Sequence, residues 1–457
     1  MIRLIKSMLL PAGIATSLSV QAVLTKPNII VFIADDLGWE DLEPYGNNKI
    51  QTPNINKLAK EGCRFDKVFL TASSSSPSRA SILTALYPSE TGASELHQPL
   101  SSGQIVASTP LRNIGYYTVS AGKWHLGDVK DQWDQVETVP GNSAHKIGDI
   151  WINAIQHVPE NKPFFIWAAA NDPHRPYDET TPKVNNPDSL ILPTYLPDLS
   201  VVRNDYADYY NEISRFDKHI GMAIDELKRL GLYENTIIVI MSDNGSPMPT
   251  AKTRTNLQGM KTPLIIVNAA RIQQNTCNRA LISSIDIMPT LLEWAGTQYP
   301  NAVSGISFAD ICHDNKQIFR EYAFAEHNWH DFMAYERAIY SDSLILNVNY
   351  LQHLPATPPN DVVKSNAYQV FRRAFENGEL NGKYQETFYS PRSEYELWNY
   401  EEDPHCTVNE VKNKDFSEQF KKMNRTLKTH LKQTRSYRDI KYLTKDKYDR
   451  RTGALIK

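Results

Sequence analysis

Two kinds of residue in this chain are arranged as reacting groups are. One is the run Ser75-Ser76-Pro77-Ser78-Arg79, a set of hydroxyls ending in a guanidinium, followed by apolar Ile82, Leu83 and Leu86 at helix-like spacing. Alone, a Ser-rich run with a proline is a loop. The other kind is a pair of oxygen-bearing side chains directly behind an apolar run: Asp35-Asp36 behind Asn28 to Ala34, and Asp243-Asn244 behind Thr236 to Met241. Singly such pairs are turn and cap residues. Together, a carboxylate and amide set with no sulfur or imidazole suits a hard divalent cation, and Ca²⁺ fits it. Basic groups hold comparable places. Lys123 and His125 lie in Gly122-Lys123-Trp124-His125-Leu126-Gly127, after the strand-like Tyr117 to Ala121. His174 lies in Asn171-Asp172-Pro173-His174-Arg175, after Phe164 to Ala170, and Lys252 follows Asn244 with Arg254 close by.

The elements between these groups must position them. Asn28 to Ala34 is continuously apolar and β-branched, as in a central strand buried on both faces. Thr52 as N-cap, Pro53 at the first helical position, apolar Ile55, Leu58 and Ala59, and Gly62 as a stop predict a helix. Further buried strands are predicted at Phe164 to Ala170, Thr236 to Met241 and Pro263 to Val267. Ile213, Phe216, Ile220, Ala223, Ile224 and Leu227 recur at helical spacing, with Gly231 ending that helix. Strands alternating with amphipathic helices predict an α/β fold: a large mixed, mostly parallel sheet sandwiched by helices. Ligands of such sheets bind beyond the carboxyl ends of the strands, so Asp35-Asp36, Asn171 to His174 and Asp243-Asn244 are expected at one crevice.

The texture changes after about residue 335, to short aromatic-rich strands and a Pro-rich loop from Leu354 to Pro359. Phe416, Phe420, Met423, Leu427 and Leu431 then form an amphipathic helical pattern. The expected organisation is an export segment over 1–22, a catalytic α/β domain over 23–335, and a smaller C-terminal α+β subdomain over 336–457 carrying a short antiparallel sheet. The export segment rests on Arg3 and Lys6, the apolar run Met8 to Val20, and Val20-Gln21-Ala22 as a small-residue cleavage pattern. The mature chain is expected to start near Val23, exported to a periplasmic or extracellular location; the apolar run is too short for a membrane span. Net charge of −3 over 457 residues excludes the basic surplus of a nucleic-acid binder. The cysteines Cys63, Cys277, Cys312 and Cys406 have no metal-site spacing.

The Ser75 to Arg79 run, with Thr84 and then Ala85, resembles the signature of the sulfatase family: Cys or Ser, any residue, Pro, any residue, Arg, four residues, Thr-Gly. Ala85 replaces the usual glycine. Gly122 to Gly127 is identical to the corresponding family string, and Asp35-Asp36 and Asp243-Asn244 match its metal positions. Tyr395 to Asn399, Asp403-Pro404 and Asn409 resemble a late family segment. The resemblance runs from Pro27 to about Asn409 and is nearest to the N-sulfoglucosamine sulfohydrolase branch, through Ser76 to Ser81, Leu96-His97-Gln98, Asp172 to Arg175, Ser242 to Pro249 and Ser283 to Trp294.

The resemblance implies that Ser75 is oxidised to formylglycine (3-oxoalanine), whose hydrate attacks sulfur. It implies one Ca²⁺ per chain, bound by Asp35, Asp36, Asp243, Asn244 and the modified Ser75. Arg79 would brace the hydrate, Lys123 and Lys252 would bind sulfate, His125 would act as base and His174 as the acid at the leaving atom. Sulfamidases carry an arginine where Lys252 stands, which leaves N- and O-sulfate both open. Candidate substrate-binding residues are His97, Arg175, His327, His330 and Asp331. Expected partners are a terminal sugar of a sulfated glycan and a radical, serine-type maturation enzyme. Two rivals remain: a two-zinc phosphatase or phosphodiesterase of the same superfamily, and a non-catalytic sulfated-glycan-binding protein with unmodified Ser75.

Overall fold

The structure is a computed structural model describing residues 26–139, 144–268, 270–314, 316–380, 385–388 and 390–456; the expected export segment and the start near Val23 lie outside the described residues. Strand β1 (Asn28–Ala34) is buried throughout. Its alternate side chains enter two different cores, Ile29, Val31 and Ile33 one, Ile30, Phe32 and Ala34 the other. That is the period-2 signature of a strand covered on both faces.

The other strands are β2 (Cys63–Phe65), β3 (Val68–Phe69), β4 (Tyr117–Gly122), β5 (Gln135–Glu137), β6 (Phe164–Ala169), β7 (Thr236–Ser242), β8 (Leu264–Val267), β9 (Thr276–Asn278), β10 (Ile282–Ser283), β11 (Ala323–His327), β12 (Glu336–Tyr340), β13 (Leu344–Asn349) and β14 (Tyr395–Asn399). Seven of them join β1 in one sheet, ordered β5-β4-β6-β1-β7-β8-β2-β9. Helices Pro53–Glu61, Ile147–Gln156 and Ser200–Arg229 bring Ile55, Trp151 and Phe216 to the Ile30 face. Helices Ser75–Thr84, Ser108–Asn113 and Ile287–Ala295 bring Ile82, Leu111 and Leu291 to the Ile29 face. The expected helix-covered, mostly parallel sheet is therefore present. Only β8 reverses, pairing antiparallel with β7 and β2. The connection from Ser242 to Leu264 holds only the four-residue helix Leu257–Met260, too short to carry the chain across a sheet face as a parallel return requires.

Register then decides where the chemistry gathers. Gly122 and Ile33 both pair with Ala169, and Ala34 pairs with Ser242. Four adjacent parallel strands thus end level, and Lys123, Asn171, Asp35 and Asp243 emerge along one edge. Gly122 sits at φ 115°, and a Cβ there would lie 1.9 Å from the Ala169 carbonyl oxygen, so no other residue fits this strand end. The predicted N-cap Thr52 makes no capping bond, because Asp217 caps that helix from a distance, accepting from Ile55 N at 2.8 Å and Asn54 N at 3.3 Å.

The C-terminal sheet is antiparallel, β11-β12-β13-β14, with helix Ser417–Gln433 laying Met423, Leu427 and Leu431 on Ile339, Leu346 and Leu397. Its first strand begins at Ala323, so the boundary expected at 335 falls inside the sheet; β11 pairs with β12 and belongs with it. No helix among the described residues is long and apolar enough to cross a membrane.

Three histidines couple this packing to pH. Burial pushes His219, His327 and His430 down to about 4, from an ordinary value of 6.5. An unfolded chain takes up these protons near pH 6.5, whereas the folded chain resists until about pH 4, so acidification favours unfolding across that window. Moving from pH 7.5 to pH 5 is expected to cost on the order of 2 kcal/mol for each histidine. Urea midpoints at the two pH values check this, and an unchanged midpoint contradicts it.

Candidate active site

Ser75 opens the helix Ser75–Thr84 and is buried. Its Oγ lies 3.2 Å from Asp35 Oδ1 and 3.1 Å from Asn244 Oδ1. The hydroxyl run is thus brought against both oxygen-bearing pairs. The same helix ends at Ala85 with φ 57°, the left-handed C-terminal conformation that favours glycine. Backbone conformation, rather than chemistry, accounts for glycine being usual at that place.

Asp36 also takes a left-handed conformation, φ 73°, and so turns back into the cluster. Its N–H donates to Asp243 Oδ1 at 3.1 Å, and Asn244 Nδ2 donates to Asp36 Oδ1 at 2.7 Å. Asp35, Asp36 and Asp243, all buried, each offer an oxygen within 4.8 Å of the others. Three cations balance them. Arg79 Nε donates to Asp243 Oδ2 at 2.7 Å, Lys252 Nζ to Asp36 Oδ2 at 2.6 Å, and Lys123 Nζ to Asp35 Oδ2. Burial works to raise Asp35, but Lys123, His174, Arg79 and Lys252 together hold it well below the usual carboxylate range. Burial prevails at Asp243, which rises to about 6 in spite of Arg79. Asn244 Oδ1 and the carboxylates supply an all-oxygen donor set facing Ser75 Oγ, which fits a hard divalent cation. Arg79 Nη1, fully buried, has no hydrogen-bond partner among the described residues.

Two imidazoles flank this core. His174 Nδ1 meets the Arg175 carbonyl, which can only accept, so Nδ1 carries a hydrogen and the exchangeable proton belongs to Nε2. That Nε2 lies 3.8 Å from Asp36 Oδ2 and 3.8 Å from Asp361 Oδ2. His125 Nε2 lies 2.8 Å from Nδ1 of His97, which is exposed at the rim. Burial, then Lys123 and Arg79, push His125 down to about 2, so it is a neutral imidazole.

The remaining expected residues divide. His330 Nδ1 lies 2.7 Å from Ser74 Oγ, next to Ser75, and Lys252, His174 and His125 all bear on its charge. Asp331 accepts from Asn360 N at 3.0 Å and so shapes the turn that carries Asp361. His327 is buried near the Arg254–Glu336 pair, away from Ser75's own partners. Arg175, expected at the substrate, is instead buried with its guanidinium on Asp205 and its Nε on the Pro247 carbonyl at 3.0 Å. Its donors hold its own loop to the Ser200–Arg229 helix and to the loop of Pro247. Of the neighbours Lys252 and Arg254, Lys252 faces Asp36, while Arg254 donates to Glu336 at 2.6 Å. Asp361 was not among the expected residues. It is the second residue of a four-residue helix, Asn360–Val363, after Pro358-Pro359, and reads in sequence as an ordinary first-turn aspartate.

Comparison with known proteins agrees with this geometry. A profile described as Sulfatase matches residues 27–297, and one described as N-sulphoglucosamine sulphohydrolase, C-terminal, matches 254–350. Human N-sulphoglucosamine sulphohydrolase is 27% identical over 430 residues, covering 84% of this chain and 85% of that protein. An ulvan-active sulfatase of Formosa agariphila is 25% identical, covering 88% and 74%. A solved protein bound to its substrate, D-glucosamine-2-N,6-O-disulfate, superposes with a TM-score of 0.72 at 20% identity, covering 90% of this chain and 99% of that one. The family profile spans more than half of the chain, including Asp35, Asp36, Arg79, Lys123, His125, His174, Asp243, Asn244 and Lys252, and the chain accordingly belongs to the sulfatase family of sulfuric ester hydrolases.

Proposed function

We propose that the protein is an exported, exo-acting sulfohydrolase that removes sulfate from the terminal sugar of a sulfated glycan, with N-sulfoglucosamine as the leading substrate. One observation carries the reading: Ser75 Oγ sits between Asp35 and Asn244, within a cluster of Asp35, Asp36 and Asp243 against Arg79, Lys123 and Lys252, with His125 and His174 flanking it. The match to the N-sulphoglucosamine sulphohydrolase C-terminal profile and the likeness to the human enzyme favour the N-sulfated sugar.

A sulfate ester resists hydrolysis because its oxygens repel a nucleophile and its leaving atom needs a proton. In this reading residue 75 would act as formylglycine, its hydrate the nucleophile, and Asp35, Asp36, Asp243 and Asn244 would hold a Ca²⁺ that would supply positive charge to the sulfate oxygens. Lys123 and Lys252 each have three N–H donors, so pairing with an aspartate leaves others for sulfate. Arg79 fixes Asp243 and holds its own charge beside residue 75. His174 delivers the Nε2 proton to the leaving atom, and neutral His125 takes a proton from a hydroxyl on residue 75. His97, by contact with His125, and His330, through Ser74, place polar groups where a sugar ring would lie.

The test is sulfate release by the matured protein from glucosamine sulfated at N, 3-O or 6-O. Release of sulfate and free amine from N-sulfoglucosamine is expected, together with about one calcium per chain. Release from an O-sulfated sugar alone would move the assignment to an O-sulfate exo-sulfatase. Two bound zinc ions with phosphoester turnover would favour the phosphatase rival, and an unmodified Ser75 in the native protein the binding protein.

A further inference from the structure

Asp361 reaches the active site from the C-terminal part of the chain, on the short helix Asn360–Val363. Its backbone is fixed from below: Asp331 Oδ2 accepts from Asn360 N at 3.0 Å, and Asp361 Oδ1 accepts from Val362 N at 2.9 Å. Oδ2 is buried and makes no hydrogen bond among the described residues. It points instead at two groups of the proposed reaction, 3.8 Å from His174 Nε2 and 3.9 Å from Lys252 Nζ. A carboxylate oxygen kept out of water without a hydrogen-bond donor is costly. Asp36, Asp35, Asp243 and Asn244 already engage one another, Ser75, Arg79 and the two lysines, so Asp361 is not needed to complete that cluster.

We propose that Asp361 is a specificity-determining residue that favours cleavage of an N-sulfate over an O-sulfate, by placing negative charge where the leaving nitrogen turns positive. The inference rests on the reading of His174 as the acid at the leaving atom and of N-sulfoglucosamine as substrate. The two leaving groups differ in charge. When the S–N bond of a sulfamate breaks, its electron pair returns to nitrogen while sulfur is taken by the oxygen nucleophile on residue 75. The proton on His174 Nε2 moves to that nitrogen, leaving imidazole, so nitrogen carries positive charge while it is still bonded to sulfur. An ester oxygen in the same place goes from neutral towards alkoxide and back to a neutral alcohol, and never becomes cationic. A carboxylate within reach of the His174 proton therefore stabilises the first path and does nothing for, or opposes, the second.

Asp361→Asn keeps size and shape and removes the charge. Its kcat on N-sulfoglucosamine is expected to fall about 100-fold with KM changed less than about threefold, the pattern of an interaction made mainly in the transition state. Asp361→Glu should restore part of that loss. Turnover of glucosamine 6-O-sulfate, whatever its starting rate, should fall less than about threefold or rise. The thermal midpoint of each variant separates misfolding from chemistry, and if Asp361→Asn does not fold, Asp361→Ser with the same pair of substrates replaces it. Equal losses on both substrates, a change in KM alone, or N-sulfate turnover kept within threefold would overturn the proposal. Wild-type protein inactive on N-sulfoglucosamine would overturn the substrate reading, and this inference with it, before any variant is made.

Discussion

Ser75→Ala is expected to abolish sulfate release, by on the order of 10⁵-fold or more, the scale seen when a covalent nucleophile is removed from a cooperating site. Folding should hardly notice. The Ser75 hydroxyl faces two acceptors, Asp35 Oδ1 and Asn244 Oδ1, and a hydrogen bond of that kind contributes about 1 kcal/mol. The proposed reaction argues that serine itself is not enough. A plain alkoxide would end as a stable sulfate ester on residue 75, with no second hydroxyl to expel the sulfate, so turnover by the proposed reaction would need the hydrated aldehyde. Protein made without a serine-type maturation enzyme should therefore match the active form in melting temperature and circular dichroism, and be inactive. In active protein the tryptic peptide Val68 to Arg79 should be lighter by two hydrogens. Full activity in Ser75→Ala, or in protein whose peptide has the unoxidised mass, would place the nucleophile elsewhere.

The parts of the site that sequence revealed are those positioned by local rules. A short, continuous β-branched run reads as a strand buried on both faces, and the residues after it then lie at a sheet edge. That logic located Asp35-Asp36, Asp243-Asn244 and the Lys123 and His174 loops, and level strand ends in the structure bring all four together. What sequence could not show depends on side chains far apart in the chain. Arg175 stands beside His174, but whether it faces a sugar or Asp205 is settled by where the Ser200–Arg229 helix packs. Asp361 has no local signal, since an aspartate in the first turn of a helix is a common cap. It matters only because Asp331 and the C-terminal turn bring it within 4 Å of His174 and Lys252. The reversed β8 was hidden for a related reason: an apolar strand reads the same in either direction.

Asp243→Ala is expected to remove activity and, unlike Ser75→Ala, to weaken the fold. Arg79 has no exposed surface, and its Nε–Asp243 Oδ2 bond of 2.7 Å is its shortest contact with a counter-charge; Asp35 Oδ1 is farther off at 3.5 Å. Deleting the carboxylate leaves a guanidinium in the interior with one distant partner, and breaking a buried pair from one side costs about 3–5 kcal/mol. Asp35 retains part of the charge balance, so the lower end of that range is expected. A cycle separates this cost from the catalytic one. Arg79→Met combined with Asp243→Ala removes both charges, and should recover at least half of the stability lost in Asp243→Ala, because nothing charged is left unpaired. It should recover no activity, since one of the oxygens proposed to hold the cation is gone whether or not the arginine stays. Urea denaturation gives the stability side of the cycle, and sulfate release with calcium content gives the other. If the double variant were as unstable as Asp243→Ala, the ion pair would not be the source of the loss. If it bound calcium and turned over substrate, Asp243 would have to be struck from the cation site.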